Sequence, residues 1–248
     1  KKPMKTLVII PSRLSATRLP GKPLIKINGT SIISHVFKKA EEANIGEVIV
    51  ATEDQEIIDD VKKNRGKAIL TTRKHQTGTD RINEALEKID CSDVDYVMNL
   101  QGDEPLMDID DIRHLNNLMI KNNAKLGTLA SKISDKGFYE NQNIVKVITK
   151  KNLNNSNFSE AINFMRKISE QSENIYHHLG IYCYQKETLK NFVSYNQSSN
   201  EIKNRLEQLR ALDNNIKINV ALAKSSPIGV DTEEDLVAIK KIMEYKKR

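Results

Sequence analysis

Apolar residues along this chain alternate between short continuous runs and longer stretches with helical spacing. Residues 7–10 and 48–51 are continuous apolar runs, as is typical of strands buried on both faces of a parallel sheet. Between them, Ile32, Val36 and Ala40 recur every four residues within 31–43, which places them on one helical face. The pattern predicts a strand, a helix and a second strand.

The same succession continues as far as residue 133. Helices are predicted over residues 54–64 and 109–122, and a third follows the polar loop at 71–81 and carries apolar residues up to Ile89. Strands are predicted over 68–70, 96–100 and 126–133. Such βαβ units require right-handed crossovers, so we predict an α/β protein with a mainly parallel twisted sheet flanked by helices.

Beyond residue 133 the rhythm is less regular. Strands are predicted over 144–149 and 179–184, with a helix around 158–168 between them, and this favours a smaller antiparallel lobe at about 134–200. A helix near 201–212, a strand over 216–221 and a helix from Thr232 complete the chain. We predict a single domain over residues 1–248 with that lobe inserted in it.

Composition and charge exclude several classes of protein. The net charge of +6 comes from lysines interspersed with acids, without aromatic RNA-binding motifs or zinc-finger spacing, so no nucleic-acid partner is expected. No apolar run is long enough to cross a bilayer, and no cleavable apolar region precedes the first strand, which leads us to expect a cytoplasmic protein without a membrane partner. Cys91 and Cys183 have neither disulfide nor zinc spacing.

The most informative stretch is the turn at residues 101–105, Gln-Gly-Asp-Glu-Pro, which follows an apolar strand. Ligands of open α/β sheets bind beyond the carboxyl ends of the strands, so Asp103 lies where a substrate phosphate and its metal would bind. Gly102 permits a tight turn or close approach to a ligand, and Pro105 ends the strand. An ordinary solvated acidic turn remains the alternative.

A loop with three cations and three hydroxyls follows the first strand, at residues 11–24. It lacks both the glycine-rich dinucleotide fingerprint and the ending of a P-loop. Arg13 and Arg18 can bind phosphate oxygens bidentately, Lys22 supplies a point charge, and hydroxyls such as Ser12 fill other acceptor positions. The loop is suited to a triphosphate. Near the other end of the chain, Asp231 precedes a long helix, and the sequence alone favours a helix cap there.

Six blocks resemble the 3-deoxy-manno-octulosonate (Kdo) cytidylyltransferase family, in the family's order and spacing from about Thr6 to the C-terminal helix. They are Pro-Ser-Arg at 11–13, Ser-x-Thr-Arg-Leu-Pro-Gly-Lys-Pro-Leu at 15–24, Gln-Gly-Asp-Glu-Pro at 101–105, His-Leu-Gly-Ile-Tyr at 178–182, Leu-Glu-Gln-Leu-Arg at 206–210 and Gly-Val-Asp-Thr at 229–232. The resemblance implies a Rossmann-like nucleotide-diphospho-sugar transferase fold. It also implies condensation of CTP with Kdo to CMP-Kdo and pyrophosphate, for lipopolysaccharide biosynthesis.

The resemblance also assigns roles to individual residues. Mg²⁺ is the implied cofactor, held by Asp103 and Asp231, and these two acids with Lys22 and Arg13 form the implied catalytic set. The nucleotide would be bound by Ser12, Arg13, Arg18, Lys22, Arg73, Gln76, Thr77, Gly78 and Thr79. The sugar would be bound by Gln101, Arg166, His178, Tyr182, Glu207 and Gln208. Family precedent favours a homodimer through the small lobe.

Two departures from the family pattern concern these sites. The segment after Arg166 is shorter and lacks a tryptophan and a further arginine, so contacts to one end of the sugar are in question. The loop at 73–81 is one residue shorter and lacks the aspartate before His75. Two alternatives stay open: a cytidylyltransferase for a related acidic sugar, such as 8-amino-Kdo or a nonulosonate, and a nucleotide-binding protein without turnover.

Overall fold

The computed structural model describes residues 2–16, 18–72, 74–75, 77–168 and 173–246. The chain divides into two units by its internal contacts. The first unit comprises Lys5–Val94, Met98–Asp110 and Pro227–Arg248, and the second comprises Lys1–Met4, Asp95–Val97 and Asp111–Ser226. The predicted boundaries of the small lobe, 134–200, stay a prediction.

The first unit carries the predicted parallel strands. Its strands are β1 (Thr6–Pro11), β2 (Lys26–Ile27), β3 (Thr30–Ser31), β4 (Gly46–Thr52) and β5 (Lys67–Leu70), and its helices are α1 (Ile32–Ala43), α2 (Gln55–Lys63), α3 (Gly78–Lys88) and α8 (Glu233–Lys246). β1 pairs in parallel with β4, and β4 pairs in parallel with β5. β2 and β3 form a separate antiparallel pair. The carboxyl ends of β1, β4 and β5 therefore lie at one edge of the unit.

Capping side chains open helices α1 and α3, and α3 begins at Gly78, inside the stretch 71–81 that was predicted to be a polar loop. The Ser31 hydroxyl accepts a hydrogen bond from the Ser34 N–H and opens α1, and Thr77 does the same for Asp80 at the start of α3. The apolar face of α1 is fully buried, as its four-residue spacing predicted.

The second unit contains most of the antiparallel pairing. Its elements are β7 (Leu126–Ser131), β8 (Lys146–Thr149), β9 (Ser159–Met165), β10 (Ile175–Gln185), α5 (Lys186–Ser194), α6 (Ser199–Asn204), α7 (Leu209–Asp213) and β11 (Asn219–Leu222). β6 (Tyr96–Asn99) and α4 (Ile109–Asn122) have residues in both units. β10 pairs antiparallel with β7 and β8, and β9 pairs antiparallel with β8 and β11, whereas β7 and β11 are parallel.

The predicted helix around 158–168 is wrong, because residues 159–165 form strand β9. Ala161 and Phe164 are buried and three residues apart, which is the spacing of a helical face. In the structure this spacing arises from an irregularity in the pairing: Ile148 faces Asn163, whereas the next residue of β8, Thr149, faces Ala161. The bulge shifts the alternation of the strand by one residue.

The helix predicted near 201–212 is interrupted, since α6 ends at Asn204 and α7 begins at Leu209. Arg205 adopts a left-handed conformation, with φ of 54°, and this ends the helical path. The strand predicted over 216–221 begins later, at Asn219. No helix among the described residues has the length and apolar character required to span a membrane.

Candidate active site

The loop after β1 is anchored at its first residues. The N–H of Ser12 donates to the carbonyl of Ala51 at 3.0 Å, which continues the pairing of β1 with β4. Two residues later, the N–H of Leu14 donates to the carboxylate of Asp54 at 2.8 Å. Asp54 lies two residues beyond the end of β4, so a second strand end fixes the path of the loop that presents Arg13 and Arg18.

Lys22 is directed toward the acidic turn by the local backbone. Gly21 has a left-handed φ of 70°, and a short 3₁₀ helix, Lys22–Leu24, begins directly after it. The Lys22 ammonium lies 3.2 Å from Asp103 Oδ2, and the two side chains are about one-sixth and one-third exposed. This ion pair, which neither charge pattern nor periodicity predicted, joins two residues of the implied catalytic set.

The acidic turn needs glycine at position 102. A Cβ there would lie 2.9 Å from the carbonyl oxygen of Pro11, so a side chain would displace the backbone where the loop at residues 11–24 begins. This loop is called the phosphate loop here, after its predicted ligand. The carbonyl of Asp103 accepts a hydrogen bond from the N–H of Val230 at 2.7 Å. This bond holds the segment before α8 against the turn and brings Asp231 to the same region of the first unit.

Asp231 does not cap α8. The Thr232 hydroxyl accepts from the N–H of Asp235 at 3.2 Å, and the Asp235 carboxylate accepts from the N–H groups of residues 231 and 232. The cap interpretation that the sequence alone favoured is therefore wrong. The Asp231 carboxylate instead lies 2.9 Å from Arg18 Nη1.

The start of α3 forms another wall of the site. A Cβ at Gly78 would lie 3.3 Å from the Pro11 ring, so the helix start approaches the phosphate loop closely. Thr77 and Gly78 face the cavity described below, whereas Thr79, predicted to bind nucleotide, has a side chain only 2% exposed and does not line it. Arg73 and Gln76 lie outside the described residues.

A cavity of about 390 Å³ joins these features. The predicted site residues that line it are Ser12, Arg13, Arg18, Lys22, Thr77, Gly78, Gln101, Asp103 and Asp231. His75 and Arg81 also line it and were not assigned from the sequence. Cations from one loop and carboxylates from two others therefore border one space of the first unit, which suits a polyanion accompanied by a cation.

The donor set at this cavity fits a hard divalent cation. Mg²⁺ prefers oxygen ligands and is commonly bound by one or two carboxylates, with phosphate oxygens and waters completing the shell. Asp103 and Asp231 supply such oxygens. Across the described ranges, no cluster of three or more His, Cys, Asp or Glu side chains is arranged for a metal. A cation bound by these two carboxylates would take its remaining oxygen ligands from a bound phosphate group and from water.

The acidic turn also contains Glu104, whose carboxyl group is buried. Burial, with a smaller contribution from the charge of Asp103, raises the pKa of Glu104 to about 8, and its Oε2 has no hydrogen-bond partner in the described structure. A carboxyl group in these surroundings is largely protonated at neutral pH. Of the two adjacent acids, Asp103 is the one that pairs with the Lys22 ammonium.

Of the predicted sugar-binding residues, Gln101 lines the cavity of the first unit, and the others lie in the second unit. There His178 is buried, and its ring nitrogen Nε2 lies 3.0 Å from the Thr128 hydroxyl. That hydroxyl donates to the carbonyl of Ile181 at 2.6 Å, so it accepts from a protonated Nε2. Burial lowers the pKa of His178 to about 3, with a smaller effect from His177. The imidazole is therefore neutral.

Tyr182 shares a face of β10 with His178, as predicted, and their ring centres are 5.4 Å apart. Its hydroxyl is buried and has no hydrogen-bond partner within the described part of the chain. Burial raises the pKa of Tyr182, with smaller contributions from Tyr184 and Glu207. Gln208 directly precedes α7 and is half-buried. His177 lies on the other side of the strand, in edge contact with Phe138.

Arg166 is tied to the backbone. Its guanidinium donates to the carbonyls of Asn204, Arg205 and Gln142 at 3.1, 2.9 and 3.2 Å. The buried ammonium of Lys146 in turn donates to the carbonyl of Arg166 and to that of Asn141. The predicted pairing of Arg166 with the sugar carboxylate stays a prediction, since two of its five N–H donors are not used in these bonds.

A buried ion pair that the sequence did not reveal braces the same region. Arg210 donates from Nε and Nη2 to the two oxygens of Glu201 at 2.9 and 2.7 Å, and its guanidinium lies 4.7 Å from the Phe192 ring centre. Both charged side chains are less than 5% exposed. The pair joins α6 to α7 on either side of Glu207 and Gln208. A capping Ser198 three residues before Glu201 was the available sequence signal.

Comparison with known proteins identifies the family of this chain. A cytidylyltransferase family model matches residues 7–218. A 3-deoxy-manno-octulosonate cytidylyltransferase of Thermodesulfovibrio yellowstonii is 43% identical over 251 residues, covering 97% of this chain and 98% of the relative. The enzyme of that name from Brucella ovis is 40% identical over 235 residues, covering 94% and 93%.

A solved structure extends the likeness to the fold. The structure of CMP:2-keto-3-deoxy-manno-octonic acid synthetase complexed with CTP superimposes with a TM-score of 0.88 at 33% identity and covers 98% of this chain and 99% of its own. The family model and this structure therefore show that the chain, with its mixed α/β fold, is a cytidylyltransferase. Within that class, the chain belongs to the 3-deoxy-manno-octulosonate cytidylyltransferase family.

Proposed function

We propose that this enzyme condenses CTP with Kdo to give CMP-Kdo and pyrophosphate. The observation that carries the proposal is the cavity at which Lys22 contacts Asp103 and Arg18 contacts Asp231. Each carboxylate is already balanced by a cation of the phosphate loop, so a triphosphate and a divalent cation can exchange with these pairs while the net charge of the site changes little. The names of the relatives favour Kdo over the alternative sugars and over a protein without turnover.

The proposed reaction is an in-line displacement at the α-phosphorus of CTP. The oxygen of the anomeric hydroxyl forms a bond to the α-phosphorus and releases its proton to solvent, while the bond from the α-phosphorus to the bridging oxygen breaks and pyrophosphate leaves with that electron pair. Arg13, Arg18 and Lys22 bind phosphate oxygens and neutralise the charge that accumulates on the leaving group. The N–H groups at the start of α3 offer further donors, and the anchored loop contributes by holding the reactants in position.

The proposed cofactor is Mg²⁺, held by Asp103 and Asp231, whose oxygens suit its preference. When bound, it supplies Lewis-acid polarisation of the α-phosphate. With this chemistry available, the protein needs no separate side-chain base for the sugar hydroxyl.

On the sugar side, we propose that Gln101, Arg166, His178, Tyr182, Glu207 and Gln208 bind Kdo. The buried, unpartnered Tyr182 hydroxyl supports this assignment, because a sugar hydroxyl would satisfy a group whose isolation costs free energy. The neutral state of His178 supports a hydrogen-bonding role and argues against electrostatic pairing with the carboxylate.

We also propose the fold type of this enzyme, its oligomeric state and its location in the cell. The parallel pairing of β1, β4 and β5 supports a Rossmann-like nucleotide-diphospho-sugar transferase fold with a mainly parallel twisted sheet. The pairing of β8, β9 and β10 supports a smaller antiparallel lobe, through which we propose a homodimer forms. We further propose a cytoplasmic enzyme of lipopolysaccharide biosynthesis that needs neither nucleic acid nor a membrane.

The proposal is tested by pyrophosphate release from CTP and Kdo, with and without Mg²⁺, together with detection of CMP-Kdo by mass spectrometry. We expect Mg²⁺-dependent release with Kdo that exceeds release with 8-amino-Kdo or a nonulosonate. Faster turnover of either alternative sugar would reassign the substrate. Absence of release with every sugar, despite measurable CTP binding, would leave only the nucleotide-binding protein.

A further inference from the structure

We propose that Thr128 is a positioning residue of the sugar site, which holds the backbone between His178 and Tyr182 and fixes the tautomer of His178. The inference rests on the proposed function, in which His178 and Tyr182 bind the sugar. All three residues belong to the second unit and to the described ranges. Neither the sequence motifs nor the family resemblance assigned a role to Thr128, which lies on a different strand from the other two.

A bulge in β10 brings His178 and Tyr182 together. His178 faces Ala130 of β7, whereas Tyr182 faces Thr128, so a step of four residues along β10 is matched by a step of two along β7. Residues four apart on a regular strand are separated by about 13 Å, and residues two apart by about 7 Å. The residues inserted at the bulge thus allow the two rings to approach to 5.4 Å between their centres.

The Thr128 hydroxyl holds this bulge from the neighbouring strand. It donates to the carbonyl of Ile181 at 2.6 Å, and the carbonyl oxygen of Leu179 lies 3.2 Å away. These two residues flank Gly180, so the hydroxyl contacts the backbone on both sides of the bulge. Thr128 itself is fully buried. Because a buried carbonyl favours a conformation in which it is hydrogen-bonded, the hydroxyl stabilises the bulged path of β10.

The same hydroxyl selects the tautomer of His178. A threonine hydroxyl has one proton to donate and can accept through its lone pairs. Since the Thr128 proton is directed to Ile181, the ring nitrogen Nε2 of His178, 3.0 Å away, is the donor of the hydrogen bond that they share. A neutral imidazole carries a single N–H, so Nδ1 is an acceptor. His178 can therefore accept from the O–H of a sugar, whereas it offers nothing to a carboxylate.

Tyr182 complements this acceptor. Its buried hydroxyl has no hydrogen-bond partner among the described residues, and a phenol can both donate and accept. The pair suits a ligand with several hydroxyl groups, but it recognises that ligand only while both rings are held in place. Loss of the Thr128 hydroxyl should therefore weaken sugar binding. It should leave nucleotide binding intact, because Thr128 does not line the cavity of the first unit.

The test compares Thr128→Val with Thr149→Val. Thr149 is a matched control, because it is also fully buried in a strand of the second unit and its hydroxyl donates to a carbonyl, that of Lys151, at 2.7 Å. Valine keeps the volume of threonine and removes the hydroxyl. We expect Thr128→Val to raise KM for Kdo about tenfold, the order of one lost hydrogen bond, with KM for CTP unchanged. Thr149→Val should retain the wild-type KM for Kdo.

A conservative variant separates this role from simple destabilisation. Thr128→Ser retains the hydroxyl, so KM for Kdo should stay near the wild-type value even where loss of the methyl group lowers Tm. The double variant of Thr128→Val with His178→Gln should show less than additive effects on KM for Kdo, since both changes remove one contact. An unchanged KM for Kdo in folded Thr128→Val would overturn the proposal.

Heteronuclear NMR of the imidazole nitrogens provides a readout that stability alone would not move. Comparison with His178→Gln identifies the His178 signals among those of the five histidines. We expect the Nε2–H tautomer in the wild type and in Thr149→Val, and a mixture of tautomers in Thr128→Val. An Nδ1–H tautomer in the wild type would overturn the proposal without the need for any Thr128 variant to fold.

Calorimetric binding of Kdo in the presence of CTP and without added Mg²⁺ separates recognition from turnover. The fall in affinity should match the rise in KM for Kdo. If the wild-type protein binds Kdo without turning it over, and Thr128→Val weakens that binding, the positioning role stands although the proposed function fails. If wild-type turnover is as proposed and Thr128→Val binds Kdo as tightly as the wild type, only the role of Thr128 is contradicted.

Discussion

Arg18 and Asp231 form an ion pair of 2.9 Å although 213 positions separate them in the chain. Both side chains are more than half exposed, so the pair contributes little to stability. Its importance is positional, because it holds the carboxylate before α8 beside the phosphate loop. A triphosphate that draws Arg18 away would free Asp231 Oδ2 for a cation, which would link nucleotide binding to assembly of the proposed metal site.

Asp103→Asn and Asp231→Asn should each lower kcat by about a hundredfold or more, because a hard anionic ligand worth several kcal/mol of charge stabilisation is removed. The fold should persist, since neither carboxylate is buried in the core. Steady-state pyrophosphate release over a Mg²⁺ series checks this, with the exposed Asp59→Asn on α2 as the matched control. Near-wild-type turnover of both variants in saturating Mg²⁺ would remove the pair from the metal site.

Asp54→Ala should raise KM for CTP about tenfold, because a charge-assisted hydrogen bond to the Leu14 N–H is lost and the phosphate loop is released from β4. Asp54→Asn should have a smaller effect, since its amide oxygen can still accept that bond. KM for Kdo is measured in parallel and should not change. Equal effects of the two substitutions would show that the hydrogen bond to Leu14 is not what positions the loop.

Arg166→Ala should raise KM for Kdo strongly and leave KM for CTP nearly unchanged, whether the guanidinium pairs with the sugar carboxylate or only braces the turn after α6. A Kdo analogue with the carboxylate reduced to an alcohol separates the two. If Arg166 pairs with the carboxylate, the analogue should bind the variant and the wild type similarly. An unchanged KM for Kdo would exclude Arg166 from sugar recognition.

His178 should make the protein sensitive to acid. Its pKa is lowered to about 3 in the folded state, below the ordinary value of 6.5. The unfolded chain therefore binds a proton that the folded chain does not, and the free energy of unfolding falls as the pH drops below 6.5, by about 1.4 kcal/mol per pH unit until the folded pKa is reached. Above pH 6.5 the imidazole is neutral in both the folded and the unfolded chain, so His178 causes no loss of stability there.

Urea unfolding between pH 7 and pH 4.5 measures this loss. Burial also lowers the pKa values of His114 and His177, so the readout is the difference between wild type and His178→Gln. The variant should be less stable at pH 7 but should lose less stability on acidification. Parallel curves for the two proteins would mean that His178 is protonated in the folded state.

Local periodicity was sufficient where an element packs through one regular face. The helix over 109–122 was predicted with the bounds that α4 has, because its apolar residues keep helical spacing throughout. Residues 159–165 were misassigned because a bulge gives a strand the spacing of a helix. A pairing irregularity depends on the partner strand, which no single segment of sequence specifies.

The site was predictable to the extent that its residues lie in contiguous motifs. Lys22, Asp103 and Asp231 were found in this way, and the structure places all three at one cavity. Asp54 was missed, because its contact is with a loop residue 40 positions away in the chain. Asp54 carried the same signal as Asp103, an acid within a few residues of the carboxyl end of a buried strand, and that signal could have identified it.

The buried ion pair of Glu201 and Arg210 couples the local unfolding of α6 to that of α7. Neither α6 nor α7 can fray alone without leaving a charge unpaired in an apolar environment, which costs about 3–5 kcal/mol. The two helices should therefore exchange their amide hydrogens with solvent as one cooperative group, with similar protection and a shared response to denaturant. Short helices of six and five residues would then have the slow exchange of a much longer element.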